Sequence, residues 1–354
     1  MTRATDRMRY LVTGGAGRLG RSVVAAMADA GHDVVSLDLV SGDTASGDLI
    51  SGMTVSREPG RSEHPDGDHR VTEVVVDLLD RAATDEAFAA ARPDAVVHLA
   101  AVAVPFSLPD AEIYARNTGI MYHVLEATVR CGARALLVAS SPTVIGYGNP
   151  AGWLPRYLPL DEDHPLEPWH GYSASKVAME QLVALAVRRH GDDLRLGVFR
   201  PCYVVAPEEW AGAPTQQGHT IRDRLADADL AAVALFNYVD ARDAAAFVLR
   251  WLERADEVPN GTCFFVGAAD ALAKAPMSEL LPVYLDGLGD LAAGLDGDRP
   301  VFDCSRAERL LGWTPRRSWR TELAGAERSS DTVGSAPASD RSDRANPPDD
   351  EGTP

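Results

Sequence analysis

The chain has 354 residues, 45% of them hydrophobic, which is enough for a sizeable core in one large domain or two modest ones. Its 34 basic and 52 acidic residues give a formal net charge of −18. A chain this negative repels phosphate backbones and anionic lipid surfaces, which argues against nucleic-acid and membrane partners. The four cysteines are widely spaced, and the first residues enter an apolar strand without a signal-peptide pattern. These features predict a cytoplasmic protein with reduced thiols and no metal site.

The first 200 residues alternate short apolar, β-branched runs with helical stretches. Strands are predicted at RYLVTGG, DVVSLD, VTEVVVDLL, DAVVHLAA, ALLVASS and LRLGVFRP. Helices are predicted at RLGRSVVAAMADAG, DEAFAAARP, EIYARNTGIMYHVLEATVRCG and from YSASK onward. Strands that are apolar throughout are typical of a parallel sheet covered on both faces. The alternation therefore predicts an α/β fold of the Rossmann type, with a doubly wound parallel sheet.

The rest of the chain departs from this alternation in three places. Residues 43–70, inside the predicted Rossmann domain of residues 8–200, are rich in Gly, Ser, Asp and Pro and predict a mobile surface loop. Residues 201–326 have a looser pattern and predict a small substrate-binding region interleaved with the first domain. Residues 327–354 contain little that a core could bury and predict a disordered tail.

A glycine-rich loop follows the first strand. The segment TGGAGRLG places Gly14, Gly17 and Gly20 between a strand and a helix, where glycine lets the backbone approach a pyrophosphate at the helix N-terminus. Asp38 ends the second strand about 20 residues later, the distance at which a carboxylate meets an adenine-ribose diol. Because Asp38 would repel a 2′-phosphate and no arginine directly follows it, the loop predicts NAD rather than NADP.

The segment YSASK places Tyr172 four residues before Lys176, on one face of a predicted helix. Such a pair is common on solvated helices, so the spacing alone decides nothing. Ser140 and Ser141 end a predicted strand, at the edge where doubly wound sheets bind ligands. The dinucleotide loop, the strand-end serines and the Tyr-x-x-x-Lys helix are much more specific together than any one of them.

Together these motifs resemble the extended short-chain dehydrogenase/reductase family, in its NAD-dependent epimerase/dehydratase group. The resemblance runs from about Arg9 to Trp319 and includes VVVDLLD, HLAA, YARNTGIMYHVLEA, SSPTVIG, FRP, YVDARDAAAF and LLGWTP. It implies cofactor contacts at Gly14, Gly17, Arg18, Leu19, Gly20, Asp38, Asp77, Leu78, Leu99, Ala100, Ala101, Asn117, Tyr172, Lys176 and Pro201.

The resemblance also gives the Tyr-Lys pair a chemical role. Removing hydride from a secondary alcohol requires taking the hydroxyl proton, and a free tyrosine with a pKa of about 10 is a poor base at neutral pH. We expect the charge of Lys176 to favour the phenolate of Tyr172, so that Tyr172 is the general base. By resemblance, Lys176 also holds the nicotinamide ribose, and Ser141 hydrogen-bonds the substrate oxygen. Ser141, Tyr172 and Lys176 are the predicted catalytic residues.

Three departures from the family pattern bear on the substrate. Pro142 and Thr143, rather than acidic residues, follow Ser141, which disfavours dehydration. Tyr203 replaces an asparagine that many nucleotide-sugar members carry. About forty residues separate Pro201 from YVDARD, as in shorter members that act on free sugars and uronates.

The predicted substrate-binding residues are Ser141, Thr143, Tyr203, Arg222 and Arg224. Arg222 and Arg224 in HTIRDR can clamp a diphosphate, although two solvated charges are the simpler interpretation. Trp153 and Trp169 can stack on a sugar or base or pack the loop, and no role is assigned to His164 or His170.

The expected function is oxidation of a secondary hydroxyl of a sugar-like small molecule with NAD, most often leading to epimerisation. The alternatives are a dehydrogenase of a free sugar or uronate that releases NADH, and a cofactor-sensing protein without catalysis. A sensor typically loses the tyrosine or the lysine, and both are present here. The resemblance also implies a homodimer.

Overall fold

The structure, a computed structural model, describes residues 7–40, 61–63 and 70–325. The strands are β1 (Arg9–Thr13), β2 (Asp33–Asp38), β3 (Arg61–Glu63), β4 (Arg70–Val75), β5 (Ala95–His98), β6 (Ala135–Ala139), β7 (Arg195–Pro201), β8 (Val204–Val205), β9 (Val239–Asp240) and β10 (Cys263–Val266). The helices are α1 (Arg18–Asp29), α2 (Arg81–Ala91), α3 (Asp110–Cys131), α4 (Gly171–His190), α5 (Pro207–Trp210), α6 (Ile221–Ala226), α7 (Asp229–Ala232), α8 (Ala241–Arg254), α9 (Met277–Tyr284) and α10 (Ser305–Leu311).

The central sheet has eight strands in the order β10-β7-β6-β5-β1-β2-β4-β3. Seven of them run parallel, and only β3 pairs antiparallel with its neighbour β4. The chain winds outward from β1 through β2 and β4 on one side and through β5, β6, β7 and β10 on the other. The order therefore reverses between β1 and β5, and ligands bind at the carboxyl ends of strands flanking such a reversal.

The sheet is buried on both faces, as the uniformly apolar strands predict. Val12, Val97 and Leu137 point to the face that also buries Val23 of α1 and Phe247 of α8. Their strand neighbours point to the opposite face, where the core contains residues from α2, α3 and α4: Leu11, Val96, Leu136, Phe88, Val124, Met179 and Val183. Burial on both faces confirms the Rossmann-type α/β fold predicted from the sequence.

The chain after β7 adds to the main sheet as well as forming a separate layer. Strand β10 pairs with β7 in the central sheet, and α8 packs against α1. The short strands β8 and β9 pair with each other outside that sheet, next to α5 and α6. A third small core joins this layer to the end of the described chain around Trp210, Tyr238, Leu272 and Leu323.

The predicted mobile loop over residues 43–70 is only partly described. Its residues Arg61–Glu63 form β3, an edge strand of the sheet, so the expectation of a loop throughout is wrong for these three residues. Backbone pairing with β4 stabilises them, although their sequence is polar. The rest of that loop, apart from Arg70 at the start of β4, and the predicted tail over residues 327–354 lie outside the described residues.

Candidate active site

The glycine loop lies between β1 and α1 and leaves no room for side chains. Gly14 has a φ of +74°, and a Cβ added to it would lie 2.7 Å from the nitrogen of Ala100. A Cβ on Gly20 would lie 2.0 Å from the carbonyl oxygen of Gly14. Gly17 is the N-cap of α1 and supplies no side-chain capping bond, so the first amides of the helix remain available to an anion.

Asp38 lies beside this loop at the end of β2. One carboxylate oxygen accepts a hydrogen bond from the Ala16 amide at 3.0 Å, and the other accepts one from the Leu39 amide at 2.7 Å. Burial is the largest influence on its pKa, which it raises. Two backbone amides thus hold the carboxylate next to the glycine loop, where it can accept hydrogen bonds from a ribose diol.

The end of β5 forms the wall opposite Asp38. The amides of Leu99 and Ala100 donate to Thr13 Oγ1 at 3.2 and 3.3 Å, and Ala101 follows them, partly exposed. Thr13 Oγ1 also lies 2.7 Å from His98 Nδ1. Burial lowers the pKa of His98 to about 3, so this histidine is neutral. These contacts fix the chain from Leu99 to Ala101 against Gly14.

Two of the predicted cofactor contacts, Leu78 and Asn117, have structural roles. The Leu78 side chain is buried in the core, so only its backbone can meet a ligand, whereas Asp77 is exposed. Asn117 Oδ1 accepts from the Val102 amide at 2.7 Å, and its Nδ2 donates to Ser175 Oγ at 3.0 Å. Asn117 therefore ties the loop after β5 to α4, and its cofactor contact stays a prediction.

Arg18, another predicted cofactor residue, is partly exposed and is held by an ion pair. Its guanidinium pairs with Glu209, which is buried in α5, and also donates to the Val204 carbonyl at 3.5 Å. Arg21, one turn later, pairs with Glu208. These ion pairs attach α5 to the first turn of α1, while Leu19 packs against the core.

Helix α4, which carries Tyr172 and Lys176, has closely packed residues at its start. His170, which was assigned no role in the sequence analysis, is its N-cap, and its Nδ1 accepts from the Ser173 amide at 3.2 Å. A Cβ on Gly171 would lie 2.3 Å from the carbonyl oxygen of Asp110, at the start of α3. The structure therefore sets the start of α4, and with it the place of Tyr172, against α3.

Ser141, Tyr172 and Lys176 come together at the carboxyl end of β6. Ser141 Oγ lies 2.9 Å from Thr143 Oγ1, and the Ser141 side chain also interacts with the Tyr172 phenol. Lys176 Nζ donates to the Ala139 carbonyl at 2.8 Å and lies 5.6 Å from the centre of the Tyr172 ring. All three predicted catalytic residues are buried.

Burial changes the ionisation of this group. It raises the pKa of Tyr172 to about 12, although the hydrogen bond from Ser141 opposes this, and it lowers the pKa of Lys176 to about 8. Desolvation is the largest influence on both side chains. The expectation that the charges of Lys176 and of the nicotinamide favour the phenolate stays a prediction.

A buried ion pair beside this site was not predicted. Glu180, one turn beyond Lys176, accepts hydrogen bonds from Arg200 at 2.8 and 2.9 Å and from Ser140 Oγ at 2.5 Å. Arg200 directly precedes Pro201, which ends β7 partly exposed. A glutamate four residues after the lysine, on the same helical face, was the available signal in the sequence.

The two arginines predicted to bind substrate differ in their burial. Arg224 is 1% exposed and stacks on the ring of Tyr203 at 4.0 Å, whereas Arg222 is exposed. The Arg224 guanidinium donates to two neutral acceptors, His219 Nε2 at 3.0 Å and Gln217 Oε1. Arg224 Nη1 and the Tyr203 hydroxyl are buried without a hydrogen-bond partner in the described part of the chain. The interpretation of Arg224 as a solvated charge is wrong.

Contacts between aromatic and amide side chains join Tyr203 to the catalytic tyrosine. The Tyr203 amide donates to Asn237 Oδ1 at 2.9 Å, and Asn237 interacts with the phenol of Tyr147, which faces Tyr172. Trp153 packs edge-on against Tyr147, and Trp169 Nε1 donates to the Tyr147 carbonyl at 3.1 Å. Both tryptophans thus pack the loop that precedes α4.

His164 likewise has a structural role, since its Nε2 accepts from the Arg156 amide at 3.1 Å. Within the described residues, no group of three or more histidine, cysteine, aspartate or glutamate side chains can hold a metal ion, and no helix is long and apolar enough to cross a membrane.

A dinucleotide loop, a strand-end acid and a Ser-Tyr-Lys group on one sheet edge define a nucleotide-dependent oxidoreductase of the Rossmann type. The NAD dependent epimerase/dehydratase family matches residues 10–267, and the chain belongs to that family. This match confirms the family resemblance and, at the level of the family, the prediction of NAD as cofactor.

Curated relatives agree with this assignment. The UDP-glucose 4-epimerase of Lacticaseibacillus casei is 32% identical over 349 residues, which covers 87% of this chain and 92% of the relative. The UDP-glucose 4-epimerase of Azospirillum brasilense is 32% identical over 185 residues, 52% of this chain and 46% of the relative. The match to the Azospirillum enzyme thus spans only about half of its length.

Solved structures share the fold. A short-chain dehydrogenase/reductase superfamily protein from Agrobacterium tumefaciens with bound NAD has a TM-score of 0.63 at 24% identity, covering 92% of this chain and 99% of its own. The Bordetella bronchiseptica enzyme WbmG, in complex with NAD and UDP, has a TM-score of 0.61 at 22% identity, covering 94% and 97%.

Proposed function

We propose that this protein is an NAD-dependent sugar epimerase, which oxidises a secondary hydroxyl and reduces the resulting ketone to the opposite configuration. The observation that carries the proposal is the convergence of Ser141, Tyr172 and Lys176 at the carboxyl end of β6, beside the glycine loop. The 32% identity to the UDP-glucose 4-epimerase of Lacticaseibacillus casei over nearly its whole length supports it.

The residues around the glycine loop fit a dinucleotide. Gly14, Gly17 and the uncapped first turn of α1 leave space and free amides for a pyrophosphate, and Asp38 has oxygens that suit the 2′- and 3′-hydroxyls of a ribose. NAD, when bound, supplies the hydride acceptor and donor, together with a positive charge. That charge would act on the buried pair of Tyr172 and Lys176.

The protein's own residues would move the proton. Tyr172 would act as a phenolate, which the positive charges of Lys176 and of bound NAD favour. The phenolate oxygen accepts the proton of the substrate hydroxyl as the hydride leaves, and the resulting Tyr172 hydroxyl returns that proton when the ketone is reduced. Ser141 is placed to hydrogen-bond the same substrate oxygen, with Thr143 orienting its hydroxyl. Lys176, held by the Ala139 carbonyl, favours the phenolate electrostatically.

We further propose that the substrate carries an anionic group, which Arg224 binds. The hydrogen-bond acceptors of the buried Arg224 guanidinium are neutral, and the Glu209 carboxylate that acts on it electrostatically is paired with Arg18. A buried guanidinium without a directly bonded anion is costly, and Arg224 Nη1 and the Tyr203 hydroxyl both lack hydrogen-bond partners in the described part of the chain. A diphosphate or a carboxylate is a fitting partner for an arginine. The UDP-sugar relatives favour the diphosphate.

The test is a panel of UDP-sugars, free sugars, uronates and nucleosides, scored for both product configuration and NADH absorbance. We expect inversion at one carbon without accumulation of NADH. Arg224→Met should raise KM for that substrate by about tenfold or more, the scale of a lost charged hydrogen bond, while Arg222→Met serves as the exposed control. Equal KM values for the two variants would remove Arg224 from the substrate site.

Net oxidation of a free sugar or uronate is the second candidate, and a specific feature favours it. Fewer than forty residues separate Pro201 from Tyr238, which suits a compact substrate, and a uronate carboxylate could also meet Arg224. Stoichiometric release of NADH with one uronate would establish this candidate in place of epimerisation.

We also propose that the protein is a homodimer joined through α3 and α4. These helices pack together and leave Tyr114 and Tyr122 exposed, at 43% and 41%, along an apolar groove that also contains Val177 and Leu185. Light scattering should give twice the chain mass, and Tyr122→Glu should give the chain mass. A monomeric protein at working concentrations contradicts this proposal.

A further inference from the structure

Glu180 occupies a central position between the three chain segments that build the active site. It lies in α4, four residues after Lys176, and its side chain is 10% exposed. Ser140, at the end of β6, and Arg200, at the end of β7, both donate to its carboxylate. The residues that follow these two donors are Ser141 and Pro201, both predicted site residues.

Several hydrogen bonds hold Glu180 and its partners in fixed positions. The Arg200 guanidinium meets both carboxylate oxygens, the bidentate geometry that is strongest for this pair, and it is itself 3% exposed. Arg200 Nη1 also donates to the Glu162 carbonyl at 3.3 Å. Lys176 binds the carbonyl of Ala139, one residue before Ser140. Lys176 and Glu180 therefore hold consecutive residues of β6 from successive turns of one helix.

We propose that Glu180 is a positioning residue of the reaction proposed above: its carboxylate holds the end of β6 that carries Ser141 and supplies the negative charge that keeps Lys176 charged. The expected loss of turnover rests on the proposed function. The expected shift in the titration of Lys176 does not.

The charges around Lys176 support this role. The titratable groups that face Lys176 are Tyr172 and Glu180 on its own helix and His98 on β5. Arg200 is paired with Glu180 and so partly neutralises the charge that acts on Lys176. Burial lowers the pKa of Lys176 to about 8, and the charge of Glu180 opposes that change. His98 is neutral. Removing the negative charge of Glu180 should therefore make Lys176 lose its proton at a lower pH, because the positive charge of Arg200 is then no longer neutralised.

The chain allows a direct measurement of this effect, because it contains only two lysines, Lys176 and Lys274. Lys274 is exposed and provides an internal reference. Competitive acetylation of the full-length protein against pH, read by mass spectrometry, gives the titration of both side chains without any substrate. If no sugar on the panel reacts, the proposed function fails while this measurement still decides the role of Glu180.

The decisive variants change the charge in opposite directions. Glu180→Gln should move the Lys176 titration to lower pH, whereas Arg200→Gln, which leaves Glu180 unneutralised, should move it to higher pH. Asp270→Asn is the matched control, because Asp270 is a buried carboxylate whose side chain is bonded to Tyr238, Ser318 and Arg320. It should leave the Lys176 titration unchanged.

Activity gives the second readout. Glu180→Gln should lower kcat by up to about 100-fold with little change in KM, and the alkaline limb of its pH profile should move to lower pH. Ser140→Ala, a milder change that leaves every charge in place, should lower kcat without moving the Lys176 titration. The proposal is overturned if Glu180→Gln and Arg200→Gln shift Lys176 in the same direction or not at all, or if Ser140→Ala retains full turnover.

Discussion

Replacing Lys176, the predicted catalytic lysine, should abolish activity without destabilising the protein at neutral pH. Lys176 is 3% exposed, and burial lowers its pKa from 10.5 to about 8. At 1.36 kcal/mol for each pH unit, the folded state at neutral pH carries a cost of about 3 kcal/mol for holding this amine charged. Lys176→Met keeps the length of the side chain and removes the charge. It also removes the charged hydrogen bond to Ala139, which is worth about 1.5 to 3 kcal/mol.

The net gain in stability for Lys176→Met at about pH 7 is therefore about 0 to 2 kcal/mol. The pH dependence is more diagnostic than the net value, because the pKa of Lys176 is depressed in the folded state. Below about pH 8 both folded and unfolded wild type are protonated, and the cost is fully present. As the pH rises from about 8 to 10.5, the folded state loses its proton first, so wild type gains stability relative to the variant by about 3 kcal/mol.

Urea denaturation of the two proteins at about pH 7 and about pH 10 measures this difference. Lys274→Met is the matched control, because it makes the same substitution at the exposed lysine and should change stability by less than about 0.5 kcal/mol. The reasoning is refuted if Lys176→Met is less stable than wild type by the same amount at both pH values. That result would mean that the buried amine carries no cost that depends on its charge.

Three further outcomes follow from the cofactor loop and the tail. Asp38→Ala should lower the preference for NAD over NADP by about tenfold or more in binding titrations, and an unchanged preference would contradict its assignment to the ribose. Gly20→Ala places a Cβ 2.0 Å from the Gly14 carbonyl and should weaken NAD binding, whereas Gly294→Ala, with nothing within 4 Å, should not. Removal of residues 327–354 should leave turnover and Tm unchanged, because these residues lack apolar side chains to bury; a loss of either would show that the tail docks on the protein.

The parts of the molecule that the sequence predicts well depend on local patterns. Apolar strands, the glycine loop and the Tyr172-Lys176 spacing each lie within a few consecutive residues, and their order along the chain places them on one sheet edge. The edge strand β3 was missed because its residues are polar and are stabilised by pairing with β4.

The parts that were missed depend on contacts between distant residues. The sequence around Arg224 is typical of an exposed residue, but in the structure Tyr203, 21 positions earlier, covers its guanidinium. The Arg18 partner lies 191 residues away, and the bond between Ser140 and Glu180 spans 40. The ionisation of Tyr172 could not be predicted for the same reason, because its burial is a property of the assembled site.

The most direct test of the proposed reaction follows the hydride itself. With the substrate that the panel identifies, deuterium is placed on the carbon whose configuration changes, and the product is examined by mass spectrometry and NMR. Removal and return of the hydride within one site predict that the deuterium remains on that carbon after inversion, and that Tyr172→Phe lowers the rate by about 100-fold or more. Loss of the deuterium to water, or its appearance in released NADH, would contradict epimerisation by the site of Ser141, Tyr172 and Lys176.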